Sequence, residues 1–71
     1  MNAVDQALRK VKAEKGLTVA AVGKAVGVSR VTVNTWRKQG YVPEKWVLAF
    51  SKAVSVPPWE VTLLAKEMKA N

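Results

Sequence analysis

The chain has 71 residues, of which 12 are Lys or Arg and five are Asp or Glu, so its formal net charge is +7. The sequence contains no cysteine and no histidine, which excludes disulfides, thiolate metal sites and histidine-based catalysis. The positive charge favours a polyanionic partner, nucleic acid before an anionic membrane surface. At this length we expect a single domain, residues 1–71, stabilised by packing or by a second copy of the chain.

Hydrophobic spacing and capping residues predict an all-α fold of five helices and no strands. The first helix is expected at residues 3–15, with Asn2 as its N-cap and Gly16 at its end. Thr18 then caps a second helix that ends near Val26.

The segment 18–39 has the pattern of two short helices joined by a tight turn. Ser29 is a good N-cap for the second of these, the third helix of the chain. Gly27 can adopt the left-handed conformation that lets the chain reverse, and Gly23 is small enough for the two helices to cross closely. This is the layout of a helix-turn-helix, whose second helix can lie in a DNA major groove.

The remaining two helices are predicted from prolines. Pro43 is a favourable first residue for a fourth helix, because its missing N–H would be unpaired there anyway. Pro58 is expected to begin a fifth helix that reaches towards Lys69. The core stripe predicted for this last helix consists of Val61, Leu64 and Met68.

The outward face of the third helix combines side chains that can contact base edges. Arg30 can pair with guanine and Asn34 with adenine, while Val31 fits a thymine methyl. A solvated polar face without function is the alternative, but it does not explain the whole set beside a glycine turn. The candidate base contacts on this face are Arg30, Val31, Asn34, Thr35 and Lys38.

Basic residues cluster around this helix and the turn after it, opposed only by Glu44 between residues 24 and 52. Lysines scattered over a small helical protein usually face solvent, but the clustering favours contacts with phosphate. The candidate phosphate contacts are Thr18, Lys24, Arg37 and Lys45. Lys10, Lys12, Lys66 and Lys69 are expected to be solvated.

Trp46 and Phe50 belong to the broad buried face predicted for the fourth helix, whereas Leu48, Trp59 and Leu63 lie off the predicted core faces of the last two helices. Partial burial against a neighbouring helix is one explanation for them, and a surface that pairs two copies of the chain is the other. The candidates for a homodimer contact fall within residues 46–64 and are Trp46, Leu48, Phe50, Trp59 and Leu63.

The sequence offers almost no basis for catalysis. The five carboxylates are dispersed, serine and threonine have no histidine to activate them, and no GxxxxGK[ST] or GxGxxG pattern is present. We therefore expect a protein that is not an enzyme and has no cofactor, metal or small-molecule substrate. The longest uncharged run, residues 16–23, is too short for a membrane span, and no signal peptide is visible, so a cytoplasmic protein is expected.

The chain resembles the helix-turn-helix repressors of temperate phages, especially the all-helical Cro type, and small YdaS-like regulators. The resemblance covers residues 17–61 and is carried by AAVGKAVGVSRVTVNTW and GYVPEKWVLAFSKAVSV. It implies a lambda-repressor-like fold, a homodimer on a pseudo-palindromic operator, repression of transcription, and Ser29 as a further base contact. Many relatives have Gln where this chain has Val19 and Arg30, so the operator sequence is not implied.

Two other functions agree with the same residues. The first is a DNA-binding bacterial regulator of the antitoxin type. The second, from a different class, is a basic helical interaction module whose Trp59 and Leu63 surface docks an acidic protein or an anionic membrane.

Overall fold

Five α-helices make up most of residues 2–69, the range that the structure, a computed structural model, describes. In chain order they are α1 (Ala3–Lys15), α2 (Val19–Val26), α3 (Arg30–Gln39), α4 (Glu44–Val54) and α5 (Leu63–Lys69). A short 3-10 turn, Pro58–Glu60, lies between α4 and α5, and this range contains no strand. The predicted all-α fold of five helices is confirmed. No helix among residues 2–69 has the length and hydrophobicity of a membrane-spanning segment.

The first three helices begin at the side-chain caps that the sequence predicts. In each case the capping side chain accepts a hydrogen bond from the backbone N–H three residues later, at 2.8 to 3.2 Å. The capping residues are Asn2, Thr18 and Ser29, and the glycines that end the same helices are Gly16, Gly27 and Gly40.

The turn between α2 and α3 depends on a close approach of backbone to backbone. The Gly23 carbonyl accepts hydrogen bonds from the N–H groups of Gly27 and Val28, both at 2.8 Å. Gly27 has a φ of 98°, the left-handed region that favours glycine. A Cβ atom on Gly23 would lie only 2.8 Å from the Val28 carbonyl oxygen. The predicted need for a small residue at Gly23 is therefore confirmed.

The core is centred on aromatic residues of α3 and α4. Phe50 is fully buried and meets Trp36 edge to face, with 5.8 Å between the ring centroids. Trp46 also packs against Trp36, with 6.4 Å between the ring centroids. Around them α4 contacts α1 and α2, and α2 contacts α3. The buried residues of this core are Val4, Ala7, Leu8, Val11, Val22, Val26, Val33, Trp36, Val42, Val47, Phe50, Val54 and Val61.

Phe50 was predicted to lie on a dimer surface, and this prediction is wrong. Phe50 shares the core face of α4 with Val47 and Val54, three and four residues away, and all three side chains are buried. Trp46, another predicted dimer residue, is half-buried, and its ring packs against Trp36 of the same chain.

The last helix also differs from the prediction of a continuous helix from Pro58 to Lys69. Val61 is pulled into the core, where its carbonyl accepts a hydrogen bond from the Val42 N–H at 2.7 Å. The chain bends there, and α5 starts only after Thr62, whose hydroxyl caps the new helix. Helix α4 likewise begins at Glu44, one residue after the predicted Pro43.

This bend changes which residues of the segment face the core. Of the predicted core stripe, only Val61 is buried. Leu64 and Met68 are 66% and 69% exposed, so their assignment to the core is wrong. Because α5 does not continue the helix expected from Pro58, the spacing counted from Val61 no longer applies to it.

The close approach at Gly23 gives a stability prediction. We expect Gly23→Val to lower the free energy of unfolding by about 1–3 kcal/mol, because the new side chain meets backbone atoms that cannot move aside freely. Ala25→Val places the same side chain at an exposed position of α2 and is expected to cost less than about 0.7 kcal/mol. Urea unfolding of both variants measures the difference, and equal losses would contradict this role of Gly23.

Candidate nucleic-acid interface

Helix α3 has one solvent-exposed face and one buried face. Val33 and Trp36 are buried, whereas Arg30, Thr35 and Val31 are exposed, and the exposed fraction of Val31 reaches 69%. Because positions i, i+1, i+4, i+5 and i+8 share one side of a helix, the five predicted contacts on this face lie together. They are Arg30, Val31, Asn34, Thr35 and Lys38, of which only Asn34 is half-buried.

Two hydroxyl groups near this face already have hydrogen bonds within the chain. Ser29 Oγ accepts from the Thr32 N–H at 3.2 Å and lies 3.1 Å from the Thr32 hydroxyl, so its first role is to cap α3. Thr35 donates its hydroxyl proton to the Val31 carbonyl at 3.0 Å. The Thr35 oxygen therefore presents lone pairs, and its hydrogen-bonding capacity towards a ligand is that of an acceptor.

The predicted phosphate contacts lie near the ends of three helices, α2, α3 and α4. Thr18 is exposed at the start of α2, where it caps the helix, and Lys24 is exposed near the end of α2. Lys45 is exposed on α4, with its ammonium group 5.2 Å from the centre of the Trp46 ring. Arg37 differs from these because it is partly buried and forms an ion pair within the chain.

That ion pair joins α1 to α3. Asp5 accepts from Arg37 Nε at 2.6 Å and from Arg9 Nε at 3.1 Å, so one carboxylate holds two guanidinium groups. Asn2 adds a second link, since its side-chain amide donates to the Arg37 carbonyl at 2.7 Å. The sequence predicts Asn2 only as the N-cap of α1, and neither link to α3 follows from residue spacing. The one signal in the sequence that could have pointed to the ion pair is the scarcity of acidic residues. With five carboxylates against 12 cations, each carboxylate is a candidate ion-pair partner.

The same contacts set the pKa of Asp5. Partial burial raises the pKa of this carboxyl, but the hydrogen bonds and positive charges of Arg37 and Arg9 lower it by more. The net result is a pKa below the ordinary value of an aspartate.

The carboxyl end of α3 is held by a residue from the far end of the chain. Lys66 of α5 donates to the Gln39 carbonyl, and its ammonium group lies 5.5 Å from the centre of the Tyr41 ring. A cation at a helix C-terminus is favourable because the last carbonyls there carry partial negative charge. The sequence predicts Lys66 only as a solvated residue, and this contact becomes visible only in the folded chain.

The predicted dimer residues divide into exposed and buried ones. Leu48 and Trp59 are 73% and 71% exposed, and Leu63 is exposed as well. Leu48, Leu63 and Leu64 line one groove of about 610 Å³ between α4 and α5, here called the α4–α5 groove. Of the five predicted dimer residues, three therefore lie at the surface: Leu48, Trp59 and Leu63. Phe50 is buried in the core, and Trp46 packs mainly against the core.

Charge is distributed unevenly along the chain. Residues 1–43 contain eight Lys or Arg and two acids, whereas residues 44–71 contain four Lys and three Glu. Six of the seven net positive charges therefore belong to the part that contains α1, α2 and α3. The part that carries the α4–α5 groove is close to neutral.

Within residues 2–69, no group of three or more acidic side chains is placed to hold a metal ion. Comparison of the chain with protein-family models, with curated proteins and with solved structures found no match. The exposed face of α3 and the charge around it are therefore the features of the chain that bear on its function.

The lowered pKa of Asp5 gives a pH-dependent prediction. Asp5→Asn is expected to destabilise the protein near pH 6, where the wild-type carboxylate is ionised and paired. Because its pKa is lower in the folded state than the roughly 3.9 of the unfolded state, this stabilisation is present above about pH 4 and is lost as the pH falls through the folded pKa. The stability gap between wild type and Asp5→Asn should therefore shrink in acid.

Urea unfolding at several pH values measures this gap. Glu14→Gln is the control, since it removes one negative charge from an exposed position of the same helix. If both variants differ from wild type by the same amount at every pH, the Asp5 ion pairs do not stabilise the fold.

Proposed function

We propose that the protein is a transcriptional repressor that binds double-stranded DNA sequence-specifically, a helix-turn-helix protein of the phage Cro type. The observation that carries this proposal is the exposed face of α3, where Arg30, Asn34 and Thr35 lie on one side of a helix anchored by Val33 and Trp36 on the other. Such a protein works in the cytoplasm of a bacterium or of a phage-infected cell.

The geometry of the α2–α3 turn supports this proposal. Gly27 ends α2, and Ser29 caps α3 two residues later, so the second helix starts directly after the first. In the first turn of α3, Arg30 and Val31 are exposed while Val33 is buried in the core, so the outward side of this turn is accessible. In helix-turn-helix proteins the start of the second helix contacts base edges in the major groove.

The side chains on this face suit two kinds of contact. Arg30 can donate two hydrogen bonds to guanine, Asn34 can pair with adenine, and Val31 can pack on a thymine methyl. Lys24, Lys38 and the other cations of residues 1–43 supply attraction to phosphate that does not depend on sequence. The first group accounts for specificity and the second for salt-dependent affinity.

We propose further that a second copy of the chain occupies the α4–α5 groove. Two copies that each carry a net charge of +7 repel one another least through residues 44–71, which contribute only one of these charges and supply most of the groove. Exposed Trp59 lies next to the groove in the chain and offers a projecting side chain for the partner's groove. A two-fold contact requires such a surface to be complementary to itself.

The size of the surface indicates a weak dimer. A stable interface typically buries about 800 Å² on each partner, or roughly one sixth of the 4707 Å² of accessible surface here. The apolar patch around Leu48, Trp59 and Leu63 is only part of such an area. We expect association to be completed on DNA, with the two α3 helices about 34 Å apart.

Base recognition by α3 is tested by substitution after the preferred site has been selected from a random DNA pool. Asn34→Ala should reduce discrimination at one base position by about 1–3 kcal/mol and leave binding to random DNA nearly unchanged. Lys38→Ala should weaken both, with a salt slope lower by about 1. Gel-shift titrations at several salt concentrations measure both effects. Gln6→Ala, at an exposed amide of α1, is the control.

Equal losses for Asn34→Ala on the selected site and on random DNA would contradict a base contact. A pool from which no sequence is enriched would reject sequence-specific binding altogether.

The dimer surface is tested by placing a charge in the groove. Leu48→Lys should abolish cooperative binding to a site with two half-sites and leave the affinity for one half-site unchanged, because the added ammonium must be desolvated in the contact. Ala49→Lys adds the same charge at an exposed position next in the chain that does not line the groove. If the two variants bind with the same cooperativity, the second copy does not occupy this groove.

A further inference from the structure

A second cleft, outside the α3 face, gathers basic residues from two helices. Its volume is about 310 Å³ and it lies where α1, the start of α2 and α3 meet. Arg9 and Lys12 of α1, Arg37 of α3 and Thr18 at the start of α2 line it. Residue spacing does not bring these residues together, and the sequence predicts Lys12 only as a solvated residue.

Asp5 joins two of the three cations without lying in the cleft. It accepts from the Nε atoms of Arg9 and Arg37, but it lines a neighbouring cleft together with Asn34 and Lys38. A guanidinium has five N–H donors, so the bonds to Asp5 leave four on each arginine for another acceptor. The carboxylate thus keeps two guanidinium groups close together.

The charge of the cleft favours an anion. Arg9, Lys12 and Arg37 contribute three positive charges, and Asp5 cancels one of them, so two remain. Thr18 adds a neutral donor, because its oxygen accepts from the Ala21 N–H at 3.1 Å and its own O–H stays available. Two forked guanidinium groups, an ammonium and a hydroxyl are suited to the oxygens of a phosphate.

We propose that this cleft binds one phosphate of the DNA backbone, with Arg9 and Lys12 as ligands that act together with Arg37 and Thr18. The inference rests on the proposed function, since the source of the phosphate is the duplex that α3 enters. Arg37 lines both this cleft and the one that contains Asn34 and Lys38. A phosphate held here therefore lies beside the base-contacting face, and the DNA-binding surface extends onto α1.

The test compares three substitutions in one helix that remove the same charge. Arg9→Gln and Lys12→Gln change the cleft, whereas Lys10→Gln changes a residue that lines a different cleft with Gln6 and Glu60. Gel shifts with the selected duplex and with a scrambled duplex are measured between about 50 and 200 mM salt. All three residues are exposed, so the variants are expected to fold, and circular dichroism checks this.

We expect Arg9→Gln and Lys12→Gln each to weaken binding on the order of three- to tenfold and to lower the salt slope by about 0.9. The loss should be the same on both duplexes, because a phosphate contact carries no sequence information. Lys10→Gln should leave the slope unchanged.

The failure of this inference can be told apart from the failure of the proposed function. If the wild-type chain prefers one duplex but all three variants bind like one another, the cleft does not bind phosphate and α3 still recognises DNA. If the wild-type chain does not bind duplex DNA, both proposals are rejected. A loss confined to the selected duplex would also overturn the phosphate contact, because it would indicate contacts with bases.

Discussion

The orientation of α3 depends on one close approach of backbone to backbone at the turn after α2. The Gly23 carbonyl accepts hydrogen bonds from two N–H groups of that turn. The Val28 carbonyl oxygen occupies the space where a side chain on Gly23 would begin. Because α3 begins immediately after this contact, a shift there is carried along the whole helix. The buried Trp36 then fixes the rotation of α3 and so determines which side chains face outward.

Local features of this fold were predictable, and contacts between distant residues were not. The caps at Thr18 and Ser29 bind N–H groups three residues away, so their signal lies within one turn of sequence. The Asp5–Arg37 ion pair spans 32 residues, and the Val42–Val61 hydrogen bond that bends the chain before α5 spans 19. Residue spacing does not reveal such pairs. For this reason the sequence predicts one helix from Pro58 onwards, whereas α5 begins only at Leu63.

The candidate site shows the same difference between local features, which the sequence predicts, and contacts between distant residues, which it does not. The wet face of α3 followed from helical periodicity, which separates Arg30, Val31 and Thr35 from the buried Val33 and Trp36. Phe50 lies on the face of α4 that helical spacing predicts to be buried, so its assignment to a dimer surface went against the periodicity of its own helix. The cleft of Arg9 and Lys12 requires α1 and α3 to be packed, and it is therefore a property of the tertiary structure.

The carboxyl end of α3 is tied to both ends of the described chain, by Asn2 at the Arg37 carbonyl and by Lys66 at the Gln39 carbonyl. Local unfolding of either terminal segment thus removes a hydrogen-bond partner from the last turn of this helix. We therefore expect local opening of either terminal segment to speed amide hydrogen exchange in the last turn of α3, although the two contacts span 35 and 27 residues of sequence.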